Sequence, residues 1–241
     1  MALPKIDTPV YDLELPLSKK KIRFRPFLVK EQRNLLMAME SDDKETIERN
    51  IRQVLHNCTL TEGLDIDRLP IIDVEFYFLN LRARSIGEIV QSKYRCENVV
   101  EEKTCGNLMT AELNILEIHP DMTNVVNDII QINNAISVKL KYPEFSVLER
   151  ANKFESITDM AFDMIAESVE YIFDGEQYYY ASESEPDEII EFIESLSQEQ
   201  FSKIENFFNN LPKLNKKIEM DCKKCNFHHT IEVEGLDSFF A

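Results

Sequence analysis

Apolar residues along this 241-residue chain change their spacing several times, and each change marks an element boundary. Residues 10–17 alternate loosely between apolar and polar and run into a polar turn at Ser18–Lys20. Ile22, Phe24 and Phe27 then interleave with Arg23 and Arg25, so the pattern predicts an opening β-hairpin over 10–17 and 21–27. Pro26 lacks the N–H that a central strand needs and marks this strand's end or a sheet edge. The spacing then becomes helical, first at Leu35, Leu36 and Met39, then at Ile47, Ile51, Val54, Leu55 and Cys58. Asp42, with Glu45 three residues later, has the spacing of a helix cap. Cys58 falls on the apolar stripe, which makes it a buried core thiol rather than a ligand.

Gly63 and Pro70 bracket a loop. The run V-E-F-Y-F-L-N-L-R-A-R that follows Asp73 exceeds a common strand length and predicts a helix capped by Asp73. Arg82 and Arg84 complement its C-terminal dipole, and Ser85 and Gly87 end it. Residues 88–95 lead as a strand into Cys96, and Met109, Ala111, Leu113 and Ile115 alternate on the way back from Cys105. Together they predict a hairpin with a cysteine pair at its tip. Ala135–Tyr142 reads as a strand stopped by Pro143. Ile157, Met160, Ala161, Met164, Ile165, Val169, Ile172 and Phe173 share one side of a predicted helix, with Gly175 placed to stop it. Tyr178–Tyr180 fall in a predicted loop, where they cover apolar surface or contribute to an interface.

A late helical hairpin follows. Ile189, Ile190, Ile193 and Leu196 mark its first arm; Phe201, Ile204, Phe207, Phe208 and Leu211 mark its second. Ser197 and Gln200 have capping-box spacing, and Pro212 fits beyond the end. Residues 214–221 and 228–234 then predict two strands around Cys222 and Cys225. The expected fold class is α+β, with an N-terminal β-hairpin, a helical core and a late helical hairpin. Residues 1–87 and 116–213 would form a discontinuous core, and 88–115 with 214–241 the paired cysteine hairpins of a zinc-ribbon-like module.

Composition adds constraints. Five glycines leave no Gly-rich phosphate loop, no apolar run is long enough to span a bilayer, and M-A-L-P-K-I-D-T-P lacks a signal-peptide layout. The expectation is a cytosolic product with reduced thiols, in which paired cysteines favour a metal over a disulfide. Cys96, Cys105, Cys222 and Cys225 are the candidate ligands of one structural Zn2+. Asn226 and Gly106, each following a cysteine, tolerate the backbone of a tight turn, and Lys223 and Lys224 can offset thiolate charge. Uncoordinated thiols, disulfides, or His228 or His229 in place of one sulfur remain open at this level. A closed four-sulfur site leaves no position for a reacting water and argues structure over catalysis.

Net charge of −17 opposes general binding to nucleic acid or anionic membrane. Lys19, Lys20, Lys21, Arg23, Arg25 and Lys30 nonetheless form a basic stretch, readable as a solvated hairpin or as a docking face for an acidic protein partner. Lys19, Lys20, Lys21 and Arg23 are the interface candidates, while Arg25 has an internal ion pair as its alternative. From Glu183 to Glu205 there are eight acids and one lysine, which reads as a solvated amphipathic surface or a partner-binding helix. His56 and His119 have no evident nucleophile partner in the sequence.

The segments I-R-F-R-P-F-L-V-K-E-Q-R-N-L-L-M-A-M-E-S and L-R-A-R-S-I-G-E-I resemble baseplate hub proteins of T4-like contractile-tailed bacteriophages, a family that also includes a baseplate hub assembly factor. V-K-L-K-Y-P and the late helices carry a weaker likeness. The resemblance implies a non-enzymatic role in viral baseplate and tail assembly, with other baseplate or hub proteins as partners. It implies residence in the virion as a hub subunit or transient action as an assembly factor, and it supplies no catalytic residues. A zinc-containing enzyme or a nucleic-acid accessory protein is the alternative from a different class. No small-molecule substrate, direct nucleic-acid contact or stable membrane insertion is expected.

Overall fold

The opening alternation folds as a hairpin in which β1 (Tyr11–Glu14) pairs antiparallel with β2 (Lys21–Phe24), Leu13 facing Ile22. The structure, a computed structural model, describes residues 6–41, 43–151, 154 and 156–234. Ile22 and Phe24 are buried while Lys21 and Arg23 point to solvent, as the two-residue period requires. Pro26 lies beyond the strand. Three helices follow: α1 (Val29–Glu40), α2 (Lys44–Cys58) and α3 (Ile71–Ser85). Asp42, expected as a cap, lies outside the described residues. The cap of α2 is Asp43, whose carboxylate accepts the Thr46 N–H at 3.1 Å. Cys58 is buried as expected, and burial pushes its thiol up to about 12. Arg25 does serve an internal pair: its guanidinium meets Glu31 at 3.0 Å and also donates to the Pro26 and Asn57 carbonyls. Burial opposes ionisation of Glu31, which is 2% exposed, yet Arg25 and the Leu28 N–H outweigh it and hold the carboxyl below its ordinary value.

Helix α3 is enclosed. Nine of its fifteen residues are buried, so it presents apolar side chains to neighbours on opposite sides instead of along one stripe. Val74, Tyr77, Phe78 and Leu81 join Leu15, Ile22, Phe24 and the apolar face of α2 in one core. Ile72, Phe76, Leu79 and Ala83 join Val90, Leu113, Ile115, Leu214 and Val233 in a second. Asp73 does not cap this helix. The helix starts two residues earlier, after Pro70, and Asp73 turns inward from its first turn. Its carboxylate, 0% exposed, accepts the backbone N–H groups of Leu17 and Ser18, each at 2.8 Å. The acid therefore holds the turn of the opening hairpin against α3.

β3 (Ile89–Arg95) and β6 (Leu108–Asn114) pair antiparallel, with Val90 opposite Leu113 at the buried base. Between them β4 (Val99–Val100) and β5 (Lys103–Thr104) form a small second hairpin. A four-stranded antiparallel meander follows, made of β7 (Ile129–Gln131), β8 (Ser137–Leu140), β9 (Val169–Phe173) and β10 (Tyr178–Tyr180). Helices α4 (Ser146–Ala151) and α5 (Ile157–Glu167) lie between β8 and β9 in the chain.

The helix predicted across 157–173 stops at Glu167, where the Ser168 N–H bonds the Met164 and Ile165 carbonyls and its hydroxyl bonds Met164 again. Val169, Ile172 and Phe173 belong to β9, for which β-branched and aromatic residues are well suited, and its ladder partners come from β8 and β10. Gly175, at φ 98°, serves the β9–β10 turn instead of a helix stop. Tyr178–Tyr180 are then a strand and not a loop.

Helices α6 (Pro186–Glu194) and α7 (Gln198–Asn209) are the late helical hairpin, and the expected Ser197–Gln200 capping box is present. They pack Ile189, Ile193, Ile204 and Phe207 with Val138, Ile165 and Ile172 into a third core. This part is tied to the first by Ile71 N–H to Pro143 O at 3.0 Å and Phe145 N–H to Leu69 O at 2.9 Å. The chain ends its described course with β11 (Asn215–Asp221) and β12 (His228–Glu234), paired antiparallel. Residues 235–241 of the predicted second cysteine hairpin lie outside the described residues.

Asp73→Asn keeps the side chain's shape but turns an amide donor toward one of two buried N–H groups. It should lower stability to urea unfolding by about 2 kcal/mol, the usual cost of an unmet buried hydrogen bond. A change below about 0.5 kcal/mol would show that this carboxylate does not hold the hairpin.

Candidate metal centre

Each cysteine pair is set by its own backbone turn. In the second hairpin, Cys222 N–H bonds Phe227 O at 2.9 Å and Asn226 N–H bonds Cys222 O at 2.8 Å, closing a tight loop around C-x-x-C. Asn226 takes φ 56° there, the conformation its type tolerates. In the first hairpin, the residues between Cys96 and Cys105 fold back as β4–β5, with Glu101 and Glu102 at positive φ in the turn. Cys105 N–H reaches Asn98 O and Gly106 N–H reaches Cys96 O, at 2.8 and 3.0 Å. Gly106 has φ 64°.

The two tips meet. The four sulfurs of Cys96, Cys105, Cys222 and Cys225 lie within 4.8 Å of one another. The Cys96–Cys225 and Cys105–Cys222 sulfur pairs are 3.6 and 3.8 Å apart. Tetrahedral zinc–thiolate bonds of about 2.3 Å would separate sulfurs by about 3.8 Å, so the cluster has the size of a single-ion site. Cys96, Cys105 and Cys222 are buried and Cys225 is partly so, with Met109, Tyr94 and Met220 packed around them.

The surroundings favour thiolate at Cys222 and Cys225 but not at Cys96. Asn98 and Asn107 direct their side-chain amides at the Cys225 and Cys222 sulfurs, at 3.6 and 3.5 Å. Burial opposes ionisation of Cys222, but the Cys225 and Lys224 N–H groups overcome it and bring the thiol down to about 6. The Asn98 amide, then the Phe227 N–H, draws Cys225 below its ordinary value. Burial pushes Cys96 up to about 12, so an ion would have to displace that proton. His229 Nε2 sits 3.2 Å from the Cys96 sulfur, and Lys224 Nζ bonds the Cys105 carbonyl at 2.8 Å. His228 instead faces Asp221 at 2.8 Å.

Sequence reasoning named the four cysteines and Lys224 and kept His229 open as a replacement for one sulfur, but it missed Asn98 and Asn107 as groups that touch the site. A signal was present: Cys96-Glu97-Asn98 and Cys105-Gly106-Asn107 repeat C-x-N, which sets an amide two residues after each thiol. The basic candidates lie on the opening hairpin. Lys19 is in its turn at φ 57°, and Lys20, Lys21 and Arg23 are exposed. Lys21 is 3.9 Å from Glu14 and Arg23 is 3.7 Å from Asp12, solvent-facing pairs that contribute little to stability. His119 packs on the Phe76 ring and His56 faces Asp67. Among the described residues no helix is long and apolar enough to cross a membrane.

Fold and site together define an α+β protein whose two distant hairpins meet at a zinc-ribbon-like cluster of four cysteines. The chain belongs to the T4 bacteriophage base plate protein family, whose model matches residues 8–241. It is thus a non-enzymatic baseplate protein of a contractile tail, and its partners are other baseplate and tail proteins. No curated protein and no solved structure matches it.

If the four sulfurs share an ion, losing one should affect both tips. Cys222→Ser should release the metal and speed amide exchange in both the β3–β6 and β11–β12 tips, while α3 amides keep their protection. Faster exchange confined to β11–β12 would reject a shared site.

Proposed function

We propose that this chain is a baseplate hub component that builds the tail through protein contacts, with Zn2+ holding its two cysteine hairpins together. The single observation that carries the reading is the convergence of four thiols from chain-distant hairpins in a protein of this family. Soft thiolates select zinc over the harder cations, and four protein ligands leave no coordination position for catalysis. Such a site stiffens a surface. Stiff surfaces serve assembly because less freedom is lost on docking. Purified protein should contain about one zinc per chain. Mass spectrometry of rigorously purified mature particles should find the chain at reproducible stoichiometry. Its presence only in immature complexes would replace the hub reading with that of a transient assembly factor.

Lys19, Lys20, Lys21 and Arg23 form the proposed docking face toward an acidic neighbour. Their long side chains stand clear of the core on a hairpin anchored by Asp73, so their charge can orient a partner during encounter. The double change Lys20→Glu with Arg23→Glu should weaken incorporation into baseplate complexes, most strongly at low salt, and leave the unfolding midpoint of the isolated chain nearly unchanged. Unaltered incorporation at both low and moderate salt would discard this face.

A further inference from the structure

The four-stranded sheet has two unlike edges. At β7, Lys203 reaches in from α7 and donates to the Gln131 and Ile132 carbonyls at 3.2 and 3.0 Å. A lysine placed there guards a strand edge against stray pairing. At the other edge β10 pairs with β9 on one side, and no strand among the described residues takes its outer side. All three β10 residues are tyrosines, with Tyr178 and Tyr180 exposed at 54% and 44%.

Because side chains alternate across a sheet, Tyr178 and Tyr180 share a face with Tyr171 and Phe173 of β9. Their rings gather there, with centroids 4.6 Å apart for Phe173–Tyr178, 5.1 Å for Tyr171–Tyr178 and 6.0 Å for Tyr171–Tyr180. Ile172 and Val138 take the opposite face, into the core beneath α5, α6 and α7. The result is an aromatic surface at an open strand edge, outside the core that the sheet builds.

The chain around it is acidic, and Lys139, opposite Tyr171 on β8, is paired with Asp128 at 2.6 Å. From Glu170 to Glu188 the chain carries seven acids and no lysine or arginine. Acids draw cations toward this edge, and the ring faces then hold them through their quadrupoles. A second copy of the chain would bring the same acids against themselves, on a molecule already at −17, so self-pairing is disfavoured. We propose that the β10 edge and its ring cluster dock an extended, lysine- or arginine-bearing segment of another baseplate protein, which lies beside β10 with its cationic side chains over the tyrosines. Main-chain pairing would supply affinity and the alternating side chains the selection. The partner's identity as a baseplate protein rests on the proposed assembly role; the surface chemistry does not.

The test titrates the full-length chain with two synthetic peptides, one of alternating arginine and valine, the other of alternating glutamate and valine. Binding is read by calorimetry and by tyrosine fluorescence, which is usable because the chain has no tryptophan. The arginine peptide should bind and the glutamate peptide should not. Tyr178→Ala with Tyr180→Ala should weaken binding at least tenfold with an unchanged circular dichroism spectrum. Glu176→Lys with Glu183→Lys, which leaves the rings in place, should do the same. Lys20→Glu should have no effect on this binding. Equal affinity for the two peptides, or full affinity in the tyrosine variant, would overturn the proposal. Recovery of the chain with baseplate complexes from infected cells is scored separately. Its presence there without peptide binding sinks the docking edge alone. Peptide binding by a chain absent from those complexes overturns the assembly role and the partner's identity, and leaves the surface chemistry standing.

Discussion

Enclosure of α3 is the constraint on which the other parts depend. A helix with apolar residues on opposite sides must be covered from both, and here the opening hairpin with α1 and α2 supplies one wall while the bases of the two cysteine hairpins supply the other. Asp73 adds direction to this packing. Hydrophobic contact alone would let the hairpin slide, but a buried carboxylate needs donors at fixed positions, and Leu17 and Ser18 provide them. The basic turn at Lys19–Lys21 is therefore presented from a braced support.

The four-cysteine cluster closes a long loop. Cys105 and Cys222 are separated by 117 residues, and closing such a span costs conformational entropy that one weak contact could not offset. Packing contributes to that closure without an ion: Leu214 and Val233 seat the second hairpin on α3 beside Val90 and Leu113 of the first. The tips are then close, and Asn98, Asn107 and Lys224 supply donors around the sulfurs and the adjoining backbone. Metal binding in such an arrangement fixes an existing approach, which is why its loss would loosen the tips and spare the helices.

Charge is distributed with the same logic. The chain is strongly acidic overall, yet Lys19, Lys20, Lys21 and Arg23 stand on one hairpin, and its longest stretch without lysine or arginine, 154–202, includes β10 and α6. Two faces of opposite sign suit contacts with different neighbours, whereas a single uniform sign would chiefly repel copies of the chain. Membership in a baseplate family gives that asymmetry a setting, since the partners are other baseplate and tail proteins.

The sequence by itself determined the features whose causes are local. The opening hairpin followed from alternation, α7 from the Ser197–Gln200 box, and the turns at Gly106 and Asn226 from the backbone freedom of those residue types. The identity of the four sulfurs was legible for the same reason, because cysteine spacing is a local signal. Tertiary structure decided the rest. Val169 and Ile172, three residues apart, fit a helical stripe but would fall on opposite faces of a regular strand; both enter the third core because the β8–β9 pairing shifts register at Lys139–Leu140. Only the ladder with β8, some thirty residues away in the chain, made them strand. Asp73 looked like a cap because its nearest N–H groups belong to its own helix, yet its partners came from residues 17 and 18. The meeting of the two cysteine pairs likewise had no local cause: it arose because both hairpin bases cover one wall of α3, and burial of apolar surface does not depend on how far apart in sequence the covering residues are.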